Sequence, residues 1–278
     1  MKITYLGTAA AEGWPALFCN CEYCKNAKKL GGKNIRTRSQ ALINNDLLID
    51  FPADSYMHML KTGYDMSAVK HCFVTHSHID HFEPTDLVMR IDSCYAHNMT
   101  EPYMHFYGNA KVMSRFDRFV GSLGEEPNPP SVTLTEIEAY QTVYADNYRV
   151  TPLRAYHAES ESAFIYLVED GVRTLLYLHD TGLLYDEVYD YLKSNNVRAD
   201  LVSYDCTYGA LASGGGHMGL DSVPYVRKRL EEIGVADEKT IHVVNHFSHN
   251  GMLLHDEMEK AAAEIGFLCS YDGMEIEF

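Results

Sequence analysis

Short apolar runs of strand type recur along the chain, separated by turn residues or by longer amphipathic segments. The runs are rich in β-branched and aromatic residues, which favour strands. Turn-forming residues bound many of them, such as those at positions 44–46. The pattern predicts strands over residues 3–6, 41–43, 47–51, 71–74, 103–107, 148–156, 163–168, 173–178, 201–204 and 241–244.

Apolar residues at helical spacing predict three helices in the second half of the chain. The clearest covers about residues 220–233, where Asp221 or Ser222 would cap its start. The other two lie at about 184–192 and 256–265.

Strand and helix patterns alternate with few long gaps and without an internal repeat. The only strong linker signal covers residues 121–130, and it is too short to establish a domain boundary. We therefore expect one domain over residues 1–278.

The composition is that of a soluble globular protein with a sizeable core. Of the 278 residues, 46% are hydrophobic and 22% are charged, both ordinary values for this class. No stretch of the sequence approaches the roughly 20 apolar residues of a membrane span. The first residues run straight into a strand pattern without the features of a signal peptide. We therefore expect no membrane partner.

The charge balance argues against a nucleic-acid partner. Acidic residues outnumber basic ones 39 to 23, and the formal net charge is −16. Proteins that grip a long polyanion present a basic patch, because neutralisation of phosphates supplies most of the affinity. We therefore expect a small-molecule substrate and no nucleic acid, and the sequence leaves a homodimer open.

Residues 75–81 read T-H-S-H-I-D-H and concentrate four metal-competent side chains in the pattern H-x-H-x-D-H. A predicted strand precedes them, so one strand end delivers three imidazoles and a carboxylate to one point. Such a set suits a pair of divalent metals, because zinc accepts nitrogen and oxygen ligands and two metals can share one bridging hydroxide. The alternative is a polar loop that is merely rich in histidine.

Isolated histidine or aspartate residues follow several other predicted strands. They are Asp50, His157, Asp180 and His246. A two-metal site needs more ligands than one loop can supply, so these positions are candidates to complete it. Each has a simpler alternative: His157 could be a surface residue, and Asp180 could start a turn or cap the following helix.

This ordered series of residues resembles the metallo-β-lactamase superfamily over essentially the whole chain. The resemblance implies an α/β fold, a four-layer αββα sandwich in which two mixed β-sheets are flanked by helices. It also implies that one metal is held by His76, His78 and His157, that a second is held by Asp80, His81 and His246, and that Asp180 bridges the two. Asp50 would orient a ligand imidazole through a hydrogen bond. Oxygen ligands leave the identity of the metals open, with zinc and manganese as candidates.

Three of the seven cysteines, Cys19, Cys21 and Cys24, crowd together with C-x-C-x-x-C spacing. They fit thiolates that bind metal in a reducing compartment, so we expect a cytoplasmic protein. The cluster is one ligand short of a closed tetrahedral zinc site, and His249 is the candidate fourth ligand. A redox-active or merely exposed thiol cluster is the alternative.

Four segments together resemble the phosphoribosyl cyclic phosphate phosphodiesterases of the carbon–phosphorus lyase pathway. They are residues 7–13, the three cysteines, residues 246–249 and residues 271–276. The resemblance implies a structural zinc on Cys19, Cys21, Cys24 and His249. It also implies a metal-dependent phosphoric diester hydrolase, in which a hydroxide activated by the dinuclear metal centre attacks a small cyclic phosphodiester such as phosphoribosyl 1,2-cyclic phosphate. The match is weak from about residue 98 to residue 148, which would shape the pocket.

Hydrolysis of a phosphodiester also needs a proton donor for the leaving oxygen, and histidine suits this role near neutral pH. His217 is our candidate, because three glycines precede it and a histidine in this context is the proton donor in the related phosphodiesterases. It could also be an ordinary loop histidine. We assign catalytic roles to His217 and Asp80. We expect Asp205 to lie near the site, in contact with the metal ligands and not with the metals themselves. The candidate phosphate contacts are Arg36, Arg38 and Arg154.

Two other functions compete with this interpretation. One is a different phosphodiesterase of the same superfamily, either a cyclic nucleotide hydrolase or an RNA 3′-processing nuclease. A nuclease of that kind needs a basic surface, which this composition argues against. The other is a non-catalytic metal-binding accessory protein, which the complete set of candidate ligands disfavours.

Overall fold

The computed structural model describes residues 1–91, 94–123, 131–158 and 160–278. Its strands are β1 (Lys2–Gly7), β2 (Gln40–Ile43), β3 (Leu47–Ile49), β4 (His71–Phe73), β5 (Met104–Gly108), β6 (Val132–Glu136), β7 (Val143–Ala145), β8 (Tyr148–Arg154), β9 (Phe164–Glu169), β10 (Thr174–Leu178), β11 (Leu201–Asp205), β12 (Ile241–Asn245), β13 (Leu268–Cys269) and β14 (Met274–Glu277). Its helices are α1 (Glu22–Leu30), α2 (Ser55–Thr62), α3 (Ala110–Ser122), α4 (Asp186–Ser194), α5 (Val223–Glu232) and α6 (His255–Glu264).

The strands form two mixed sheets of seven strands each. The first has the order β14-β1-β2-β3-β4-β5-β6, and the second has the order β13-β12-β11-β10-β9-β8-β7. In the first sheet, pairing is antiparallel from β14 to β3 and parallel from β3 to β6. In the second, pairing is parallel from β13 to β10 and antiparallel from β10 to β7. In a parallel stretch, the carboxyl ends of neighbouring strands meet at one edge, where ligands commonly bind in sheets of this kind.

The two sheets pack face to face and helices cover their outer faces. Strand β10 shows how the sequence produces these layers, because successive side chains point to opposite faces of a strand. Leu175 and Tyr177 lie in the apolar core between the sheets, whereas Leu176 and Leu178 lie in the core that includes α1, α4, α5 and α6. On the other side, the first sheet packs against α3. The predicted αββα sandwich is therefore confirmed.

The hydrophobic pattern predicts most but not all of these elements. All the predicted strands are present, and the three predicted helices are α4, α5 and α6. The pattern does not predict α1, α2, α3, β6, β7, β13 or β14. In α2 the buried residues include the polar Ser55 and His58, so this helix lacks a clear apolar stripe.

Two further expectations concern the linker and the membrane. Most of the linker signal over residues 121–130 falls on residues 124–130, which lie outside the described residues. Within the described chain, none of the helices combines the length and apolarity that a bilayer crossing requires.

Candidate metal centre

The predicted ligands follow strands that end at one edge of each sheet. Asp50 follows β3 and residues 75–81 follow β4, and these two strands are parallel. In the second sheet, His157 follows β8, Asp180 follows β10 and His246 follows β12. These three strands run in the same direction, because β8 and β10 both pair antiparallel with β9, while β10, β11 and β12 are parallel. Sequence positions that are far apart are thus delivered to one place.

Four side chains form a first group of potential metal ligands: His76, His78, His157 and Asp180, whose ligand atoms lie within 4.8 Å of one another. His76 Nε2 lies 2.9 Å from His78 Nδ1 and 3.2 Å from Asp180 Oδ2. His157 Nε2 lies 3.4 Å from each of the same two atoms. Three imidazoles and a carboxylate at this spacing match the donor set of a divalent metal site.

A second group contains Asp80, His81, Asp180 and His246, all of them buried. His81 Nε2 lies 3.2 Å from Asp80 Oδ2 and 3.0 Å from Asp180 Oδ2. His246 Nε2 lies 4.0 Å from Asp180 Oδ2. Asp180 belongs to both groups, which is the position expected of a bridging ligand. The structure thus brings together all seven ligands predicted from the sequence, which we call the dinuclear group.

Asp50 and Thr75 orient two of the ligand imidazoles. Asp50 Oδ2 lies 2.7 Å from His81 Nδ1, and Asp50 Oδ1 accepts hydrogen bonds from Thr75 N at 2.7 Å and from Thr75 Oγ1 at 2.9 Å. Thr75 Oγ1 also lies 3.1 Å from His76 Nδ1. Because Nδ1 is engaged in both rings, Nε2 is the nitrogen left for a metal. Asp50 thus makes the contact expected of it. Thr75 was not expected, although it directly precedes the motif.

Asp205 and His217 lie on the other side of the dinuclear group. Asp205 Oδ2 lies 3.1 Å from His217 Nδ1 and 3.4 Å from His246 Nδ1. His217 Nδ1 is also 3.1 Å from Asp180 Oδ1.

Burial lowers the pKa of His217, but the charge of Asp205 and its hydrogen bond outweigh burial and raise this pKa to about 9. This favours the protonated form of His217 in the metal-free protein. A further contact, missed from the sequence, joins Thr207 Oγ1 to His246 Nδ1 at 2.8 Å.

Burial and neighbouring charges set the protonation of the ligands. Burial holds the pKa of His76 well below its ordinary value, so this imidazole is neutral. Burial disfavours the charged form of Asp180, but the surrounding imidazoles, first of all His246, outweigh burial and keep its pKa well below the ordinary value. Burial disfavours the charged form of His81, but neighbouring carboxylates, Asp80 above all, outweigh burial and raise its pKa well above the ordinary value. The carboxylates therefore create a negative potential that attracts a cation.

Unpaired buried atoms test whether divalent ions fit here. Within the described chain, His246 Nε2 is buried without a hydrogen-bond partner, and His81 Nε2 and Asp180 Oδ1 have close charged neighbours but no hydrogen bond of good geometry. A buried polar atom that is left unsatisfied costs about 1–3 kcal/mol of stability. A cation that accepts lone pairs from these atoms would remove the cost. The donor set therefore fits divalent metal ions.

Three of the site residues have a left-handed backbone. The φ angles are +69° at Asp50, +55° at Asp180 and +64° at His246. Non-glycine residues adopt this conformation only when the surrounding structure stabilises it, and such residues cluster at functional sites. The sharp turns that they make re-aim each side chain just after its strand ends.

The predicted cysteine ligands also come together, in a separate place. Cys19, Cys21, Cys24 and His249, which we call the Cys/His cluster, have ligand atoms within 4.8 Å of one another. Cys21 is the N-cap of α1, and its Sγ accepts a hydrogen bond from Cys24 N at 3.4 Å. Burial raises the pKa of Cys21, but this bond and its neighbours outweigh burial and lower the pKa to about 6. Cys21 is thus favoured as a thiolate, the form that binds metal.

None of the three candidate phosphate contacts lines the pocket beside the dinuclear group, but Arg154 lines another pocket that also includes His157. Arg36 is buried and bonds to oxygens of other segments. Arg38 pairs with Asp54 at 3.0 Å, and Arg154 pairs with Glu187 at 2.9 Å. Their charges are used in local structure, which the sequence pattern does not reveal.

Glu161 holds the motif loop in place, and the sequence does not predict this role. Its carboxylate accepts hydrogen bonds from Ser77 N at 3.0 Å, from Ser77 Oγ at 2.9 Å and from Asn109 Nδ2 at 2.9 Å. Ser77 lies between His76 and His78, so Glu161 restrains the backbone that carries both. No local pattern could have identified Glu161, because 84 residues separate it from Ser77.

Comparisons with known proteins agree with this architecture. A diphosphatase from the PhnP family has a similar structure, with a TM-score of 0.74 and 20% identity over 100% of this chain and 97% of that one. Zn²⁺-bound PqqB from Methylobacterium extorquens has a TM-score of 0.73 and 17% identity over 100% of both chains. The short form of human tRNase Z has a TM-score of 0.64 and 18% identity over 100% of this chain and 99% of that one. At these identities the likeness shows the fold alone.

Sequence comparisons identify the family. No curated protein matches the chain significantly. The family model for the beta-lactamase superfamily domain matches residues 47–247, a range that includes every member of the dinuclear group. The chain therefore belongs to the metallo-β-lactamase superfamily.

Proposed function

We propose that the protein is a metal-dependent phosphodiesterase that hydrolyses a small cyclic phosphodiester, such as phosphoribosyl 1,2-cyclic phosphate. The observation that carries the proposal is the dinuclear group itself, two sets of four ligands that share Asp180, with the protonated His217 at its edge. Hydrolysis of a phosphodiester requires neutralisation of charge on the phosphoryl group and a proton for the leaving oxygen. This arrangement offers both.

The pocket beside the dinuclear group, which we call the substrate pocket, supports a small substrate of low charge. Its volume is about 300 Å³, at the lower end for small-molecule sites. Apart from metal-ligand candidates and His217, it is lined by Ala10, Ala11, Glu12, Thr207, Ser248 and Asn250. Among the described residues this lining contains no lysine or arginine, so within this pocket the charge of a phosphate would be balanced by cations and imidazoles. A monoanionic diester therefore fits better than a dianionic monoester.

The residues of the site would divide the work of the reaction. When bound, two divalent cations would polarise the phosphoryl oxygens and lower the pKa of water. His76, His78 and His157 would hold one cation, Asp80, His81 and His246 would hold the other, and Asp180 would contact both. Asp205 holds Nδ1 of His217, which leaves Nε2 free to give its proton to the leaving oxygen.

Turnover of a generic diester tests the proposal. Protein loaded with Zn²⁺ or Mn²⁺ should hydrolyse bis(p-nitrophenyl) phosphate, and removal of the metals with a chelator should abolish the activity. The monoester p-nitrophenyl phosphate is the matched control and should be a poor substrate. Comparison of kcat/KM for ribose cyclic phosphates, cyclic nucleotides and diphosphate esters would then rank the substrates. Diphosphate esters are included because one structural neighbour is a diphosphatase. Metal-loaded protein that hydrolyses none of these compounds would contradict the proposal.

We further propose that the Cys/His cluster holds a structural zinc ion. Three thiolates and one imidazole form a closed tetrahedral set, and zinc in such sites stabilises the fold. A Cys21→Ser variant should therefore lose one zinc ion per chain and melt at a lower temperature, while the pair of metals in the dinuclear group persists. Metal analysis and thermal unfolding would measure both effects. The exposed Cys94 supplies the control variant Cys94→Ser, and unchanged zinc content in Cys21→Ser would rule out the structural site.

A further inference from the structure

Glu12 contacts both the substrate pocket and the Cys/His cluster. It lies in the loop after β1 and lines the substrate pocket together with Ser248. Its Oε1 accepts a hydrogen bond from Ser248 Oγ and lies 3.6 Å from Nε2 of His249. One carboxylate oxygen therefore bonds to Ser248 in the pocket wall and lies close to His249, a candidate ligand of the Cys/His cluster.

The ring of His249 connects Glu12 to the thiolates. Its Nδ1 lies 3.5 Å from Cys21 Sγ and 3.8 Å from Cys19 Sγ, while its Nε2 is the atom near Glu12. A metal-ligating histidine usually donates its other N–H group to a carboxylate or carbonyl, which fixes the orientation of the ring and raises its basicity. Glu12 lies on the Nε2 side of the ring, where such a carboxylate is expected, at 3.6 Å, longer than a hydrogen bond.

Backbone contacts hold the loop of Glu12 against the segment of His249. Phe247 N donates to Thr8 O at 2.8 Å, and Ala10 N donates to Phe247 O at 2.9 Å. The two segments are therefore joined on both sides of Phe247. These bonds place the loop of Glu12 directly beside the segment that carries His249.

The other oxygen of Glu12 is available to a ligand. The side chain is 32% exposed, and both contacts described above use Oε1. Within the part of the chain that the structure describes, Oε2 has no hydrogen-bond partner. A carboxylate oxygen in a pocket accepts hydrogen bonds from hydroxyl groups, and such charge-assisted bonds are stronger than neutral ones.

We propose that Glu12 is a positioning residue that couples zinc binding in the Cys/His cluster to ligand affinity in the substrate pocket. This inference rests on the proposed function. Zinc in the cluster would orient His249 and draw its N–H group towards Oε1 of Glu12, to which Ser248 already donates. The carboxylate anchored in this way would present Oε2 to hydroxyl groups of the organic part of the phosphodiester.

A Glu12→Gln variant tests both ends of this connection. It keeps the length of the side chain but loses the charge, so zinc should leave the Cys/His cluster roughly 10–100-fold faster in the presence of a chelator. The zinc in question is identified by its absence from Cys21→Ser. The KM for a ribose cyclic phosphate should rise about tenfold, because one hydrogen bond to a charged group is lost. The KM for bis(p-nitrophenyl) phosphate, which has no hydroxyl groups, should not rise, so the ratio of the two KM values should change about tenfold.

Two further variants frame the result. Ser248→Ala removes the hydrogen bond to Glu12 Oε1 and the cap of the turn at His249–Gly251, so it should raise KM for the ribose ester and speed zinc release, as Glu12→Gln does. Glu264→Gln removes the same charge from an exposed position on α6 and should change neither. The inference is wrong if Glu12→Gln leaves zinc release and KM unaltered, lowers kcat alone, or only lowers the melting temperature. Should the wild type hydrolyse no phosphodiester, the proposed function fails, while zinc release and calorimetric binding of an intact ribose cyclic phosphate still decide the role of Glu12.

Discussion

An Asp180→Asn variant should lose both cations of the dinuclear group, and its kcat/KM for a phosphodiester should fall by at least roughly 10³-fold. Bound cations supply several kcal/mol of transition-state stabilisation, and each 1.4 kcal/mol is a factor of ten in rate. Asp180 Oδ2 lies 3.2 Å from His76 Nε2, 3.0 Å from His81 Nε2 and 3.4 Å from His157 Nε2. Asparagine matches the size of the side chain but is neutral, and its amide NH₂ group cannot bind a cation. Metal analysis and steady-state kinetics would measure the two losses.

The control for this variant removes a carboxylate elsewhere. Asp190→Asn changes an exposed residue of α4 and should keep full metal content and activity. If Asp180→Asn retained both metals and normal turnover, Asp180 would not be a bridging ligand. If it retained the metals but lost activity, its role would lie in the chemistry and not in metal binding.

The candidate ligands could be predicted because each is marked by its local sequence. A short apolar run that ends in a histidine or an aspartate is visible without any knowledge of the fold, as at Asp50, Asp180 and His246. Parallel strands then bring such ends to a common edge. His249 could be assigned because it lies three residues after His246, and the short connection reaches the Cys/His cluster.

The supporting contacts could not be predicted, because they depend on distances between sheets. Glu161 bonds to Ser77 across 84 residues, and nothing in its neighbours marks it. Arg36 has the charge of a phosphate-binding residue, but it is only 3% exposed and bonds inside the protein. Its burial follows from the packing of loops, which composition and periodicity do not describe.

The missed elements have weak hydrophobic contrast for physical reasons. Strand β14 at the edge of the first sheet alternates between half-buried and exposed residues without a fully buried one, and β6 at the other edge is also mostly exposed. An edge strand pairs on one side only and buries less of its surface, so its apolar signal is faint. In α1 the buried residues are Cys24 and Ala27, and the remaining charged positions hide the helical period.

A His217→Ala variant should lower the turnover of a ribose cyclic phosphate by about 10²–10⁴-fold, the usual range for loss of a general acid or base, with metal content unchanged. The leaving group of this substrate is an alkoxide, which departs poorly without a proton. The p-nitrophenolate of bis(p-nitrophenyl) phosphate leaves without one, so its hydrolysis should fall much less. The wild type should also lose activity at high pH, where His217 gives up the proton that Asp205 stabilises, and the variant should lack this fall. Both substrates and the pH profile would be measured on the same preparations.

The outcome distinguishes an acid from a ligand. Asp180, Asp205, His217 and His246 also lie close enough together to hold a cation among them, so His217 has a competing role as a metal ligand. Loss of metal from His217→Ala, with equal loss of activity on both substrates, would support that role and remove His217 as proton donor. His105→Ala is the matched control. His105 lies near the start of β5, at the end of this strand opposite to the dinuclear group, and contacts Thr133 of β6. A large loss confined to the alkoxide substrate, with both metals retained, is the result that only a proton donor explains.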